Sequence, residues 1–163
     1  MLRRFIPFLS DERGAAAAEM VLILPVALAL IFTTFEGAYY MICEHRVVKG
    51  VRDAARYAGR LDRSNYACPG ATFSGSSSTV QNLTRTGKLS GGTAAVQGWV
   101  NSNVVITVTC ATGKDGIYLA TGGNAPQVKI STRIVYPSIM GAMGFTQATI
   151  YIAAAAQSPV IGL

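Results

Sequence analysis

The sequence is short of the residues that most catalytic sites need. It has one histidine, His45, and eight carboxylates in 163 residues, and no two carboxylates are spaced for shared acid–base work. No nucleophile and orienting acid flank His45, so it reads as a solvated surface group on a charged stretch and not as a general base. No Cys/His cluster has metal-ligand spacing. Ser90-Gly91-Gly92-Thr93 lacks the Gly-Lys-Ser/Thr core of a phosphate loop. Asn82-Leu83-Thr84 fits a glycosylation sequon, a tripeptide common by chance. The single tryptophan, Trp99, reads as a core plug beneath a loop. The expectation is a protein that is not an enzyme and holds no cofactor and no metal. Acidic charge is also scarce, with 14 basic residues giving a net charge of +6. The excess lies at Arg46, Lys49, Arg52, Arg56, Arg60 and Arg63, with no aromatic interleaving and no groove-reading motif. It therefore predicts a solvated helix face and no nucleic acid, with anionic lipid head groups as an alternative contact.

Charge is scarcest where apolar residues are densest. From Ala15 to Phe35 there are 21 residues and one charge, Glu19. A helix of that length spans roughly 30 Å, the thickness of a bilayer's hydrocarbon core. Residues 1–14, MLRRFIPFLSDERG, form a charged leader in which Arg3, Arg4 and Arg13 favour the cytoplasm. An ordinary secretory signal carries its apolar region before an A-x-A-like cleavage site. Here the apolar run follows the leader and continues to Phe35 with no such site, so an anchor is expected to remain.

Beyond Glu36 the helical pattern persists. Val47, Val48, Val51, Ala54, Ala55 and Ala58 share one face of a 3.6-residue period, and the basic residues take the other. The spacing predicts one nearly continuous helix from Ala15 to Leu61, kinked locally at Pro25, which removes a backbone bond and crowds the preceding turn. Three basic residues precede the apolar run and six follow it. Counted alone, they would place the C-terminal side in the cytoplasm. The cysteines and the Gly/Ser/Thr-rich composition beyond the helix argue for the opposite side.

The remainder reads as a small β-containing domain. Residues 62–80, rich in Ser, Gly, Asn and Pro, predict a loop with little drive to pack. Val80 to Lys88 predicts a short helix capped by Ser78 or Thr79 and ended by Gly87, Gly91 and Gly92. Strands are expected at Val104–Cys110, Val128–Tyr136 and Thr146–Ala156, with a turn at Gly113-Lys114-Asp115-Gly116 and an apolar connection from Ser138 to Phe145. Cys68 and Cys110 are expected to pair if the domain is extracytoplasmic, closing a loop worth about 3–4 kcal/mol. The other reading is two buried free thiols. Cys43 is the odd one: free, buried between helices, or in contact with another subunit.

Glu19 is the informative residue. A charged acid at a helix centre in lipid costs about 2.5–3.5 kcal/mol, less near an edge. Its bland reading is a carboxylate close to the head groups. Its sharper reading requires a cut between Gly14 and Ala15. That cut gives Ala15 a free amine one helical turn from Glu19. The amine of one subunit can then satisfy the carboxylate of another and fix axial register, because any slip leaves two charges unpaired in lipid.

Glycine followed five positions later by glutamate, before a long apolar helix, resembles the type III signal of type IV prepilins. More closely, Glu12-Arg13-Gly14-Ala15-Ala16-Ala17-Ala18-Glu19-Met20, Leu24-Pro25-Val26 and Phe35-Glu36-Gly37 resemble the TadE-like pseudopilins of tight-adherence (Flp/Tad) pilus systems. Asp53-Ala54-Ala55-Arg56-Tyr57-Ala58 resembles the family's helix exit. Val80-Gln81-Asn82-Leu83 with Gly87, the strand within Asn103–Thr109, the strand ending at Tyr136-Pro137 and the last strand follow its general order. Ala15 departs from the phenylalanine that many major pilins carry at the new terminus.

The resemblance implies a pilin-like, membrane-anchored α+β protein: a long helix, transmembrane then amphipathic, packed on a small antiparallel sheet. It implies a leader at 1–14, a transmembrane helix at 15–37, an amphipathic extension at 38–61 and a periplasmic domain at 62–163. It also implies a single-pass protein of the bacterial inner membrane, with its N-terminus cytoplasmic, that acts as a minor pseudopilin in pilus assembly and adhesion. Expected partners are a prepilin peptidase cutting at Gly14/Ala15, other pilin and pseudopilin subunits, assembly-platform or secretin components, and membrane lipid. The alternative is an uncleaved single-pass protein whose extracytoplasmic domain binds a ligand or envelope component.

Overall fold

The computed structural model describes residues 13–113, 116–146 and 148–162. The leader's first twelve residues, and Lys114-Asp115 of the expected turn, lie outside the described residues. Helix α1 runs Arg13–Arg60, 48 residues with Pro25 inside it. The helix continues through Pro25, as membrane helices can when the freed carbonyl is otherwise satisfied. Contacts divide the chain after Tyr39, and the second unit runs Tyr40–Leu163. The end of α1 therefore belongs to the same compact unit as the strands that follow it.

In that unit α1 buries Cys43, Val47, Val51, Ala54, Ala55 and Ala58, a helical spacing that keeps one face inward. The periodicity identifies this face but includes Val48, which is only half-buried, and omits Cys43, now placed as a buried free thiol. Helix α2, Ser77–Thr86, starts earlier than the sequence suggests, because the Ser76 hydroxyl and not that of Ser78 or Thr79 accepts the first orphan N–H, that of Thr79. It ends at Gly87, whose φ of 72° is the left-handed conformation that closes helices.

Strands β3 (Val104–Ala111), β4 (Ala125–Val135) and β5 (Tyr151–Pro159) form an antiparallel sheet in the order β3-β4-β5. Along β4 the even-numbered residues from Pro126 to Ile134 are buried and Gln127, Arg133 and Val135 face outward. The last strand lies several residues later than expected, and a short helix α3 (Ile139–Ala142) occupies the apolar connection. The segment 62–80 is the clearest correction. It holds a 3₁₀ turn, a two-residue hairpin of β1 (Tyr66–Ala67) and β2 (Thr72–Phe73), and the start of α2. Its drive to pack comes from Tyr66, which is buried, lies against Phe73 and donates its hydroxyl to the Ala58 carbonyl.

Cys68 and Cys110 form a disulfide with Cα atoms 5.8 Å apart, pinning the end of β1 to β3. Replacing both by serine should cost about 3–4 kcal/mol in the chain-entropy account. A melting temperature unchanged from the parent in detergent would contradict that contribution.

Two loose ends of α1 are satisfied by distant residues. The N–H of Ile161 donates to the Gly59 carbonyl at 2.8 Å, and Tyr66 serves Ala58. Such capping answers the orphan carbonyls that every helix end leaves. Burial, and secondarily the neighbouring Tyr57, pushes the Tyr66 phenol up to about 12. Its folded value exceeds the ordinary value of about 10, so its stabilisation is complete below pH 10 and is lost as pH rises towards 12. Phenolate absorbance followed against pH should show a late tyrosine that disappears in Tyr66→Phe. An unchanged titration curve in that variant would refute the assignment.

Arg63 also departs from its expected place on a solvated face. It lies beyond α1 in the 3₁₀ turn, with its guanidinium 4.9 Å from the Tyr118 ring centroid and hydrogen-bonded to the Asn124 carbonyl. Arg46, Lys49, Arg52, Arg56 and Arg60 remain exposed on α1. The Arg46 guanidinium donates to the Ala95 carbonyl at 3.1 Å.

Candidate functional site

The site with the most specific chemistry is the first half of α1. Gly14 to Met20 are exposed and helical, and the large apolar residues that follow are exposed all round the helix, from Leu22 at 74% to Leu28 at 42%. An all-round apolar surface has no place in water over this length, and α1 is the one described helix long and apolar enough to cross a membrane. It anchors the chain in a membrane.

Polar groups on this surface are few, and most are satisfied within the helix. The Thr33 hydroxyl donates to the Ala29 carbonyl and that of Thr34 to the Ile31 carbonyl, both at 2.7 Å. These back-bonds let both threonines enter lipid at little cost. Glu19 has no such arrangement among the described residues and stands exposed on the helix. It follows Ala15 by four residues, the spacing at which helix side chains share a face.

Gly14 has a further peculiarity. A Cβ added there would meet nothing within 4 Å. Glycine inside a helix costs roughly 0.5–1 kcal/mol relative to alanine, so packing gives no reason for it. Gly37 is equally open. Gly50 and Gly59 are the opposite case: a Cβ on either would strike the Thr84 carbonyl oxygen or the Ser158 hydroxyl. The same residue type thus marks close packing in the second unit and an open position at the helix start.

Residues 14–56 match the TadE-like protein family. This segment of α1 is TadE-like. The matched segment begins at the open glycine, takes in Glu19 and the whole apolar run, and ends inside α1 at Arg56. No curated protein and no solved structure gives a significant match. The likeness covers 43 of the 163 residues and lies wholly within α1.

Of the residues singled out in the sequence, Gly14, Ala15, Glu19 and Pro25 lie on the one helix, while Cys68 and Cys110 lie in the second unit. Among the described residues, no group of three His, Cys, Asp or Glu side chains converges on a metal-sized site. An open groove of about 500 Å³ lies between α1 and the end of α2, lined by Arg46, Lys49, Asp53, Thr84 and Thr86. Sequence periodicity places Arg46 and Lys49 on one helix face, but the close approach of α2 at Gly50 is visible only in the fold.

Proposed function

We propose that this chain, TadE-like over residues 14–56, is a minor pseudopilin, a non-enzymatic assembly subunit of a Tad-type pilus. A prepilin peptidase on the cytoplasmic face of the inner membrane cuts between Gly14 and Ala15. The mature helix then packs against other pilin and pseudopilin helices, with the Ala15 amine of one subunit paired to Glu19 of the next. The observation that carries this reading is Glu19: one carboxylate on an otherwise apolar exposed surface, while the nearby threonines are satisfied by their own helix. Gly14 supports it, because a glycine that packing does not require suits a peptidase subsite.

The second unit is the periplasmic part of the proposal, with its contacts directed at assembly-platform or secretin components. Its disulfide supports that side of the membrane, since such bridges persist in oxidising compartments. The five exposed cations on α1 are then a cost of topology that the uncut leader's three arginines do not outweigh by number.

The test uses Gly14→Leu. The position is open, so the helix is expected to form unchanged, while the peptidase loses its small residue. In a strain lacking the native gene, the variant should accumulate at precursor size in the membrane and fail to restore pili. Full pilus restoration by uncut Gly14→Leu would overturn the proposal in favour of an uncleaved single-pass protein.

A further inference from the structure

We infer that the outer edge of β5 is a docking site for an extended acidic segment of a partner protein, added to the sheet as a further strand. In an antiparallel pair, alternate residues turn their backbone groups to the neighbouring strand and those between turn them away. The N–H of Tyr136 donates to the Ile150 carbonyl at 2.9 Å, and that of Val160 to the Pro126 carbonyl at 3.0 Å. In the register of this pair, the even-numbered residues of β5 therefore turn their backbone groups to β4. Tyr151, Ala153, Ala155 and Gln157 turn theirs outward, where these groups have no hydrogen-bond partner among the described residues. The next outward N–H, that of Ile161, donates to the Gly59 carbonyl and closes the edge there.

Such an edge is a template for another strand, and proteins that leave one unused blunt it with charge, proline or a bulge. β5 has none of these before Pro159. Its 9 residues are uncharged and pair with β4 without interruption. The opposite edge of the sheet is occupied. The Gln81 side-chain amide donates to the Val104 carbonyl at 3.2 Å at one end of β3, and the disulfide pins the end of β1 to Cys110 at the other. Strand addition to an open edge takes its affinity from main-chain bonds and its specificity from alternate side chains.

Charge selects an acidic occupant. β3, β4 and β5 contain no carboxylate. The outer side of β4 carries Lys129, half-buried, and Arg133, exposed, whose register neighbours on β5 are Gln157 and Ala153. Neither cation has a hydrogen bond or ion pair among the described residues, and the Arg133 guanidinium lies 3.9 Å from the Tyr151 ring centroid. A strand beyond β5 lies about 10 Å from β4, two strand spacings away. An arginine and a glutamate together span that gap above a side chain as short as Ala153. A second copy of this chain would bring its own Lys129 and Arg133 towards the same two cations, so charge favours an acidic partner over self-pairing. This site requires neither the cut at Gly14 nor a role in pili.

The full chain in detergent tests it with a fluorescent peptide of 9 residues, the length of β5, alternating glutamate with valine. The same peptide with lysine for glutamate is the control. Anisotropy should rise with the glutamate peptide, and the lysine peptide should bind about tenfold or more weakly. The amides of Tyr151, Ala153, Ala155 and Gln157 should exchange rapidly in the free chain and be slowed by the glutamate peptide. Ala155→Pro removes one outward N–H and no bond to β4, a position where an edge strand accepts proline. Its melting temperature should hold while affinity falls about tenfold or more. If that variant melts early, amide exchange in the parent decides alone. Lys129→Gln combined with Arg133→Gln should weaken the glutamate peptide. Binding that survives a stable Ala155→Pro would place the peptide on the exposed cations of α1 and overturn the inference. So would equal binding of the two peptides, no binding of either, or slow exchange of the four amides before peptide is added, since another copy of the chain would then cover the edge.

Discussion

Replacing Glu19 by alanine is expected to leave the protein inserted in the membrane and to abolish pilus assembly. Insertion should not suffer, because the substitution removes a carboxylate that costs up to about 3 kcal/mol in lipid. Assembly should fail because the Ala15 amine of the neighbouring subunit then has no counter-charge. Breaking a buried pair from one side costs about 3–5 kcal/mol, more than a hundredfold in the packing equilibrium. Glu19→Asp shortens the reach but keeps the charge, so partial recovery is expected. Glu19→Gln keeps the shape and loses the charge, and it should behave like alanine. Pilus counts and membrane fractionation read both halves of the prediction. Normal piliation in Glu19→Ala would remove the register role from Glu19.

Gly50→Ala is expected to destabilise the second unit by roughly 3 kcal/mol or more, a fall in melting temperature on the order of 10 °C. The direction is not obvious from sequence, since alanine gains about 1 kcal/mol over glycine in a helix interior. Sterics decide it. The new Cβ would lie 2.1 Å from the Thr84 carbonyl oxygen and 3.0 Å from the Trp99 ring. Neither neighbour can yield cheaply. Thr84 is in α2, with its side chain buried and bonded to Val80, and the Trp99 indole N–H donates to Thr132 at 3.0 Å. A Cβ added at Gly162 would likewise lie 2.0 Å from a carbonyl oxygen, that of Leu61. Equal or raised stability in Gly50→Ala, measured by thermal unfolding in detergent, would contradict the close approach of α1 and α2.

The parts of this fold that periodicity controls were legible in the sequence. Val47, Val51, Ala54, Ala55 and Ala58 fall on one face because a helix repeats every 3.6 residues, and β4 alternates because a strand repeats every two. What stayed hidden depends on contacts between residues far apart in the chain. Tyr66 and Arg63 sit among Ser, Asn, Gly and Pro, so their local composition reads as a free loop. Each is instead held by a distant carbonyl, Ala58 for one and Asn124 for the other. Gly50 and Gly59 look like helix weaknesses until the neighbouring backbone is seen against them. The candidate site is the reverse case. Gly14, Ala15 and Glu19 are meaningful in the sequence, and the fold adds that a Cβ at Gly14 would meet nothing within 4 Å in this chain. It also shows that Thr33 and Thr34 make no demand on a partner.

The central claim is that the working form of this chain begins at Ala15, with a new amine one turn from Glu19. Intact-mass and N-terminal analysis of the protein isolated from membranes of piliated cells tests it most directly. The account predicts a single species lacking residues 1–14 and starting at Ala15. A membrane population that keeps its leader while pili are being assembled would contradict it.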